Sequence, residues 1–424
     1  MTQDFSEYCS NTTSREEFVG ISFTWDADTR TAKPKITFPY GYRLEGVNEK
    51  DVLLLMQTLS RFQKQVEDLG VLHANSDKIL GFPLSSYMIV IEDYLRNGYY
   101  YDREIYYASR TSGKVNWGRT IKKEKPIIQD NGAVYLKMQT RIHQTNDELL
   151  ITQISKHCVY ESLIKMGWYY GLSTPQKPNI PFYEELFVTT LRERLHKTNK
   201  DSEKLLFESM LQVLQNIDQQ SDQSQEFRFG TNRFEQVWEL LIDKVYGTET
   251  GDIKKQYFPQ AIWHFNDQSQ ALSNDLYPDT IMKTMDGFLY VIDAKYYRYG
   301  ETKQPKHLPE MSSIAKQVVY AQYIARKGEK LKISPNKIRN AFLLPYDHLK
   351  FKSNSVYHYI GYADSDLSIT DGQEYTKIHT LLIDTKHLMQ SAQKNTPNEI
   401  NCLSRIIELN IKKSQLFQIC RKEI

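Results

Sequence analysis

Three charged residues interrupt two largely apolar runs: Asp279 in LYPDTIM, and Asp293 and Lys295 in GFLYVIDAKYY. A carboxylate or ammonium buried without a partner is expensive, so charges in core strands need a reason. Asp286-Gly287 between the runs is a turn signal, and the pair reads as a β-hairpin. Side chains alternate along a strand, so Asp293 and Lys295 share a face. The turn decides whether Asp279 joins them. A two-residue Asp286-Gly287 loop opposes Thr280 to Asp293 and points Asp279 away. A three-residue Met285-Asp286-Gly287 loop opposes Asp279 to Asp293, with glycine in the left-handed position this loop requires.

The second register places two acids and a lysine together. Paired carboxylates repel unless a divalent cation bridges them, and oxygen ligands suit Mg²⁺ or Mn²⁺. Such an ion polarises a phosphate oxygen and lowers the pKa of a bound water. Lys295 could orient or activate that water and offset charge on the phosphate. The plain alternative is a buried Asp–Lys pair that serves stability alone. Two other D-x-K triplets lack a second acid on a partner strand. Asp252-Ile253-Lys254 reads as a polar loop, and Asp384 or Thr385 reads as the N-cap of the helix that follows.

Two flanking helices must position the hairpin. In TNRFEQVWELLIDKVYG the apolar stripe is Phe234, Val237, Trp238, Leu241 and Val245. At about 100° per residue Glu235 falls on the stripe's edge, where it could complete a metal site; Glu239 lies farther off. In SSIAKQVVYAQYIARKG the stripe is Ile314, Val318, Ala321 and Ala325, with Gln317 on the same face and Tyr320 adjacent. A buried glutamine needs a partner, either a metal-bound water, a phosphate or a main-chain group.

At 424 residues the chain is long enough for two or three domains. Its formal charge is only +2, so any nucleic-acid surface must come from local clustering. The four cysteines form no C-x-x-C pair, which argues against a zinc site or disulfide framework. The polar N-terminus is no signal peptide and no apolar run reaches the roughly 20 residues of a membrane span, so the expectation is a soluble, cytoplasmic protein. The Gln/Ser/Asp-rich stretch 215–232 marks a boundary, giving an α+β N-terminal domain over 1–205 and an α/β domain over 206–424. In the first half, Arg110, Lys114, Arg119, Lys122, Lys123 and Lys125 interleave with Tyr106, Tyr107 and Trp117 over two strand-like stretches. These residues suit DNA-backbone contact or partner docking, and a solvated hairpin face equally.

The series Glu235, Pro278-Asp279, Asp293-Ala294-Lys295 and Gln317 resembles the PD-(D/E)XK nuclease superfamily. The resemblance implies an α/β (α+β) core, a mixed sheet flanked by helices. It implies that Asp279 and Asp293 bind Mg²⁺ with the carbonyl of Ala294, that Lys295 is catalytic, and that Glu235 is an accessory ligand. Some branches carry Q-x-x-x-Y; here Ala321 stands where that tyrosine would be. Through ITFPYGYRL, SGKVNWGRTIKKEKP, HCVYESLIKMGW, FRFGTNRFEQVWE and the hairpin, the chain is also similar to LlaJI-type restriction endonucleases and to the related McrC subunit. That similarity implies a phage-defence endonuclease subunit acting on double-stranded DNA with a separate McrB-like AAA+ GTPase. The sequence carries no G-x-x-x-x-G-K-[ST] of its own. The other readings are a stand-alone type II restriction endonuclease and a non-catalytic DNA- or protein-binding module on a nuclease scaffold.

Overall fold

The computed structural model describes residues 5–13, 17–26, 31–68, 83–101, 103–129, 132–145, 149–172, 175–217, 227–272, 276–353, 355–365, 373–394 and 398–422. The fold is mixed α/β and divides into two compact units. One comprises 1–22, 35–80 and 228–424, and the other 23–34 and 81–227.

A five-stranded mixed sheet is the core of the first unit. Its strands are β1 (Thr280–Lys283), β2 (Leu289–Ala294), β3 (Ile338–Tyr346), β4 (Tyr357–Ala363) and β5 (Ile378–Asp384), in the spatial order β1-β2-β3-β5-β4. The inner pairs β2–β3 and β3–β5 are parallel, and the outer pairs are antiparallel. Every residue of β2, β3 and β5 is buried, which is why these segments read as nearly unbroken apolar runs rather than as alternating ones.

Helices cover both faces of this sheet. Helix α1 (Phe234–Tyr246) buries Phe234, Val237, Trp238, Leu241, Ile242 and Tyr246. Parallel strands β2 and β3 need a crossover, and α2 (Met311–Arg326) lies within it. Tyr320, Ala321 and Ile324 of α2 pack on Ile281, Leu289, Val291 and Ile338. Helix α3 (Thr385–Gln393) begins where Asp384 accepts a hydrogen bond from the His387 amide at 2.8 Å, so the third D-x-K triplet is a helix cap. Helix α4 (Asn398–Lys422) lies on the face opposite α2. There Tyr290 meets Ser404 at 2.8 Å, and Arg339 meets Glu408 at 2.7 and 3.1 Å.

The compact units depart from the expected division at 205/206. Residues 36–44 (ITFPYGYRL) join the sheet-containing unit, because Tyr40 and Gly41 are threaded into its core. The Tyr40 amide donates to the Tyr296 hydroxyl at 2.8 Å, and Thr385 Oγ1 donates to the Tyr40 carbonyl at 2.7 Å. Gly41 has φ +70°, and a Cβ there would lie 2.6 Å from the Tyr346 backbone. Such contacts between residues hundreds of positions apart leave no local signal.

The second unit is mainly helical, with helices Leu84–Asn97, Leu150–Tyr170, Glu184–Lys197 and Asp201–Gln215. Between the first two lies an antiparallel pair, Arg103–Arg110 with Met138–Thr145. WGRTIKK, expected as strand, is the helix Trp117–Lys123, started by Asn116 accepting from the Arg119 amide at 3.1 Å. Local capping overrides the β-like composition here. Asn146, which the sequence NDELL offers as a helix N-cap, lies outside the described residues. Among the described residues no helix is long and apolar enough to cross a membrane.

Gly41 and Gly46 offer a matched test, since both have positive φ but a Cβ at Gly46 meets nothing within 4 Å. Gly46→Ala should cost about 1 kcal/mol of backbone strain, and Gly41→Ala about 3 kcal/mol or more through added displacement of Tyr346. Thermal unfolding distinguishes them, and equal losses would mean that Gly41 does not pack as described.

Candidate active site

The hairpin turn sets the site. Thr280 pairs with Ile292, Ile281 with Val291, Met282 with Tyr290 and Lys283 with Leu289. The Thr284 amide then bonds the Phe288 carbonyl at 2.9 Å, and the Gly287 amide bonds the Thr284 carbonyl at 3.0 Å. The loop is therefore the three-residue Met285-Asp286-Gly287, closed by Gly287 at φ +83°. Continuing this register by one step opposes Asp279 to Asp293.

Asp279 sits just beyond the ladder, and its carboxylate takes the place of a rung: Oδ2 accepts from the Ala294 amide at 2.8 Å. Its carboxyl lies close enough to that of Asp293, which is 9% exposed, to feel its charge. Lys295 Nζ lies 2.6 Å from Asp293 Oδ2. The strand end carrying Lys295 is fixed on several sides. The Lys295 amide and the Trp238 indole both donate to the Leu343 carbonyl, at 3.0 and 3.2 Å. Tyr296 stacks on Tyr40 at 4.8 Å and packs against Phe234 and Trp238.

Burial, and next the charge of Asp293, push the Asp279 carboxyl up to about 8; Glu239 adds to the rise. Burial alone would lower the pKa of Lys295, but Asp293 and Asp279 outweigh it and the pKa is raised, so the ammonium stays charged. Burial, followed by Asp293, likewise raises the pKa of Glu239, while Lys295 opposes that rise. Glu239 of α1 is thus the third acid that senses the pair. Glu235, the expected accessory acid, is half exposed and pairs with Arg233 at 3.2 Å. Residues four apart share a helix face, so periodicity alone could not separate the two; the neighbouring Arg233 was the available signal.

Gln317 is fully buried on α2, and its amide donates to the Val291 and Ala341 carbonyls at 3.3 Å each. These bonds tie α2 to β2 and β3, while Gln317 Oε1 is buried with no hydrogen-bond partner among the described residues. Tyr320 does face the acids. Burial, with added repulsion from Asp293 and Asp279, pushes its pKa up to about 12, and its hydroxyl donates to the Tyr277 carbonyl at 3.1 Å. Arg110, Lys114, Trp117, Arg119, Lys122 and Lys123 belong to the other compact unit. Their side chains are exposed there, Trp117 by 56%, and Arg119 stacks over Tyr107 at 4.1 Å.

The Asp279–Asp293 pair fits a divalent cation. A buried carboxyl whose pKa burial and a neighbouring carboxylate both raise would be relieved by a divalent cation, and an all-oxygen donor set suits Mg²⁺ or Mn²⁺. A second cluster, Asp347, His348 and Asp384, also brings its ligand atoms within 4.8 Å of one another. Its hydrogen bonds lie partly inside the cluster and partly to nearby backbone amides. Asp384 serves the His387 amide and His348, and Asp347 serves the Leu349 and Lys350 amides.

Asp279 also couples stability to pH. Its folded pKa lies above its ordinary value of 3.8, so the folded state retains a proton that the unfolded chain releases. This stabilisation is full below about pH 4 and is lost as pH rises through about 8. Without divalent ions, the melting temperature of the wild type should fall more steeply from pH 5 to pH 8.5 than that of Asp279→Asn. Parallel curves would contradict the raised pKa of Asp279.

The model of the LlaJI restriction endonuclease family matches residues 41–376. No curated protein matches. Among solved structures, the chain is similar to one described as a half-complex from a tetradecameric assembly of Thermococcus gammatolerans McrB AAA+ hexamers with bound McrC. The identity is 13%, covering 91% of this chain and 83% of that one, with a TM-score of 0.30. The family match spans the hairpin, both flanking helices and the basic segment, and the chain belongs to the LlaJI restriction endonuclease family.

Proposed function

We propose that this chain is the metal-dependent endonuclease subunit of a restriction system, hydrolysing phosphodiester bonds of double-stranded DNA through a PD-(D/E)XK-type site. The observation that carries the reading is the convergence of Asp279, Asp293 and Lys295 at one strand end, in a family of restriction endonucleases. Asp279, Asp293 and the Ala294 carbonyl would hold Mg²⁺ or Mn²⁺, with Glu239 rather than Glu235 as the nearby third acid. A bound ion there supplies Lewis acidity and a water of lowered pKa.

The protein's own groups divide the remaining work. Asp279 and Asp293 would hold and orient the cation, with Asp279 giving up the proton that its burial favours. Lys295 acts as a fixed positive charge, offsetting the negative charge that develops on the phosphate. The leaving group is the 3′ oxygen. The resemblance to McrC supports a separate McrB-like AAA+ GTPase as partner, with the exposed Arg110–Lys123 segment as its docking element. The interleaved basic and aromatic side chains of that segment also suit direct DNA contact, which is the stand-alone endonuclease reading.

Plasmid cleavage in Mg²⁺, with and without an AAA+ partner and GTP, tests this. Asp293→Ala and Lys295→Ala should each lose about 100-fold or more of the cleavage rate, EDTA should abolish it, and Glu239→Gln should cost more than Glu235→Gln. Cleavage unaffected by Asp293→Ala and Lys295→Ala would overturn the site. Full activity without any nucleotide would favour the stand-alone enzyme.

A further inference from the structure

Lys254 belongs to a D-x-K triplet that the site does not use, yet its side chain ends beside the site. It lies on the short helix Gly251–Lys255, with 17% of its side chain exposed. Nζ is 2.6 Å from the Asp279 carbonyl and 2.9 Å from Asp243 Oδ1. The same Asp243 oxygen accepts from Thr280 Oγ1 at 3.1 Å. Asp243 is on α1, one turn after Glu239.

We propose that Lys254 is a positioning residue that fixes the Asp279 main chain for divalent-cation binding; this rests on the metal-site reading of Asp279 and Asp293. The β1–β2 ladder begins at Thr280, and the Ala294 amide is taken by the Asp279 carboxylate. The Asp279 carbonyl is therefore held from outside the sheet. Two external donors clamp this segment: Tyr320 on the Tyr277 carbonyl and Lys254 on the Asp279 carbonyl, with the fixed φ of Pro278 between them. Asp243 joins the clamp to α1, so one ion pair sets Asp279 and the Glu239 helix relative to each other. A charged donor suits this position, since charge-assisted hydrogen bonds are about twice as strong as neutral ones.

Mn²⁺ binding to the full chain, followed by loss of the free-ion electron paramagnetic resonance signal, tests this without requiring cleavage. Lys254→Met removes the ammonium and keeps the stem, and Lys254→Arg restores a cation. Lys254→Met should weaken Mn²⁺ binding about 10-fold, the range seen when an outer-shell partner of a ligand is lost, and Lys254→Arg should recover most of it. The Lys254→Met melting temperature should stay within a few degrees of wild type, because a merely structural loss would lower the bound fraction without moving the midpoint. Wild-type Mn²⁺ affinity in Lys254→Met overturns the proposal. If Asp293→Ala loses the ion while Lys254→Met keeps it, the acid site stands and only the role of Lys254 falls. If neither loses it, both fall.

Discussion

Two carboxyl groups, on Asp279 and Asp293, lie close together inside the protein, where burial and mutual repulsion favour a proton or a further cation at Asp279. Asp293 is 9% exposed and has the Lys295 ammonium 2.6 Å away. Asp279 accepts from the Ala294 amide, and burial with the charge of Asp293 raises its pKa. Breaking such an arrangement by halves is costly, because it leaves an uncompensated buried charge. Much of the unit serves to hold that contact: the three-residue turn, the buried parallel strands, the α2 glutamine bound to two strands, and the aromatic cluster around Tyr296. The account of function follows from what relieves the carboxyl pair.

The far side of the sheet is held differently. Helix α4 meets β2 and β3 through Tyr290 with Ser404 and through the Arg339–Glu408 pair, whose side chains are 7% and 20% exposed. A forked guanidinium–carboxylate contact fixes geometry as well as contributing energy. Tyr290 and Arg339 are register partners on the adjacent strands, so α4 spans the seam between them. The C-terminal segment, for which the sequence suggested no role, is thus the second layer of the sheet that carries the acids.

Much of this was legible in the sequence where the rule was local. A glycine after Met285-Asp286 and a strand period of two left two registers open, and the one that brings Asp279 opposite Asp293 is the one the hairpin takes. Helical periodicity located α1 and placed Gln317 on a buried face. It did not distinguish Glu235 from Glu239, four residues apart, nor name the partner of Gln317, because main-chain carbonyls leave no trace in residue types. WGRTIKK was misread because an asparagine cap outweighed its composition. The clamp at Lys254 and the threading of Tyr40 and Gly41 were not legible at all. Each depends on contacts between distant segments, and the residues involved look ordinary where they stand.

The central claim is that the Asp279–Asp293 pair is a metal site rather than a stability device. Its most direct test is a Mn²⁺-soaked crystal of the full chain, measured for anomalous scattering. The account predicts a peak in contact with both carboxylates, with Lys295 displaced from Asp293 or sharing it. A peak confined to Asp347, His348 and Asp384, or none at either place with the carboxyl pair unchanged, would contradict it.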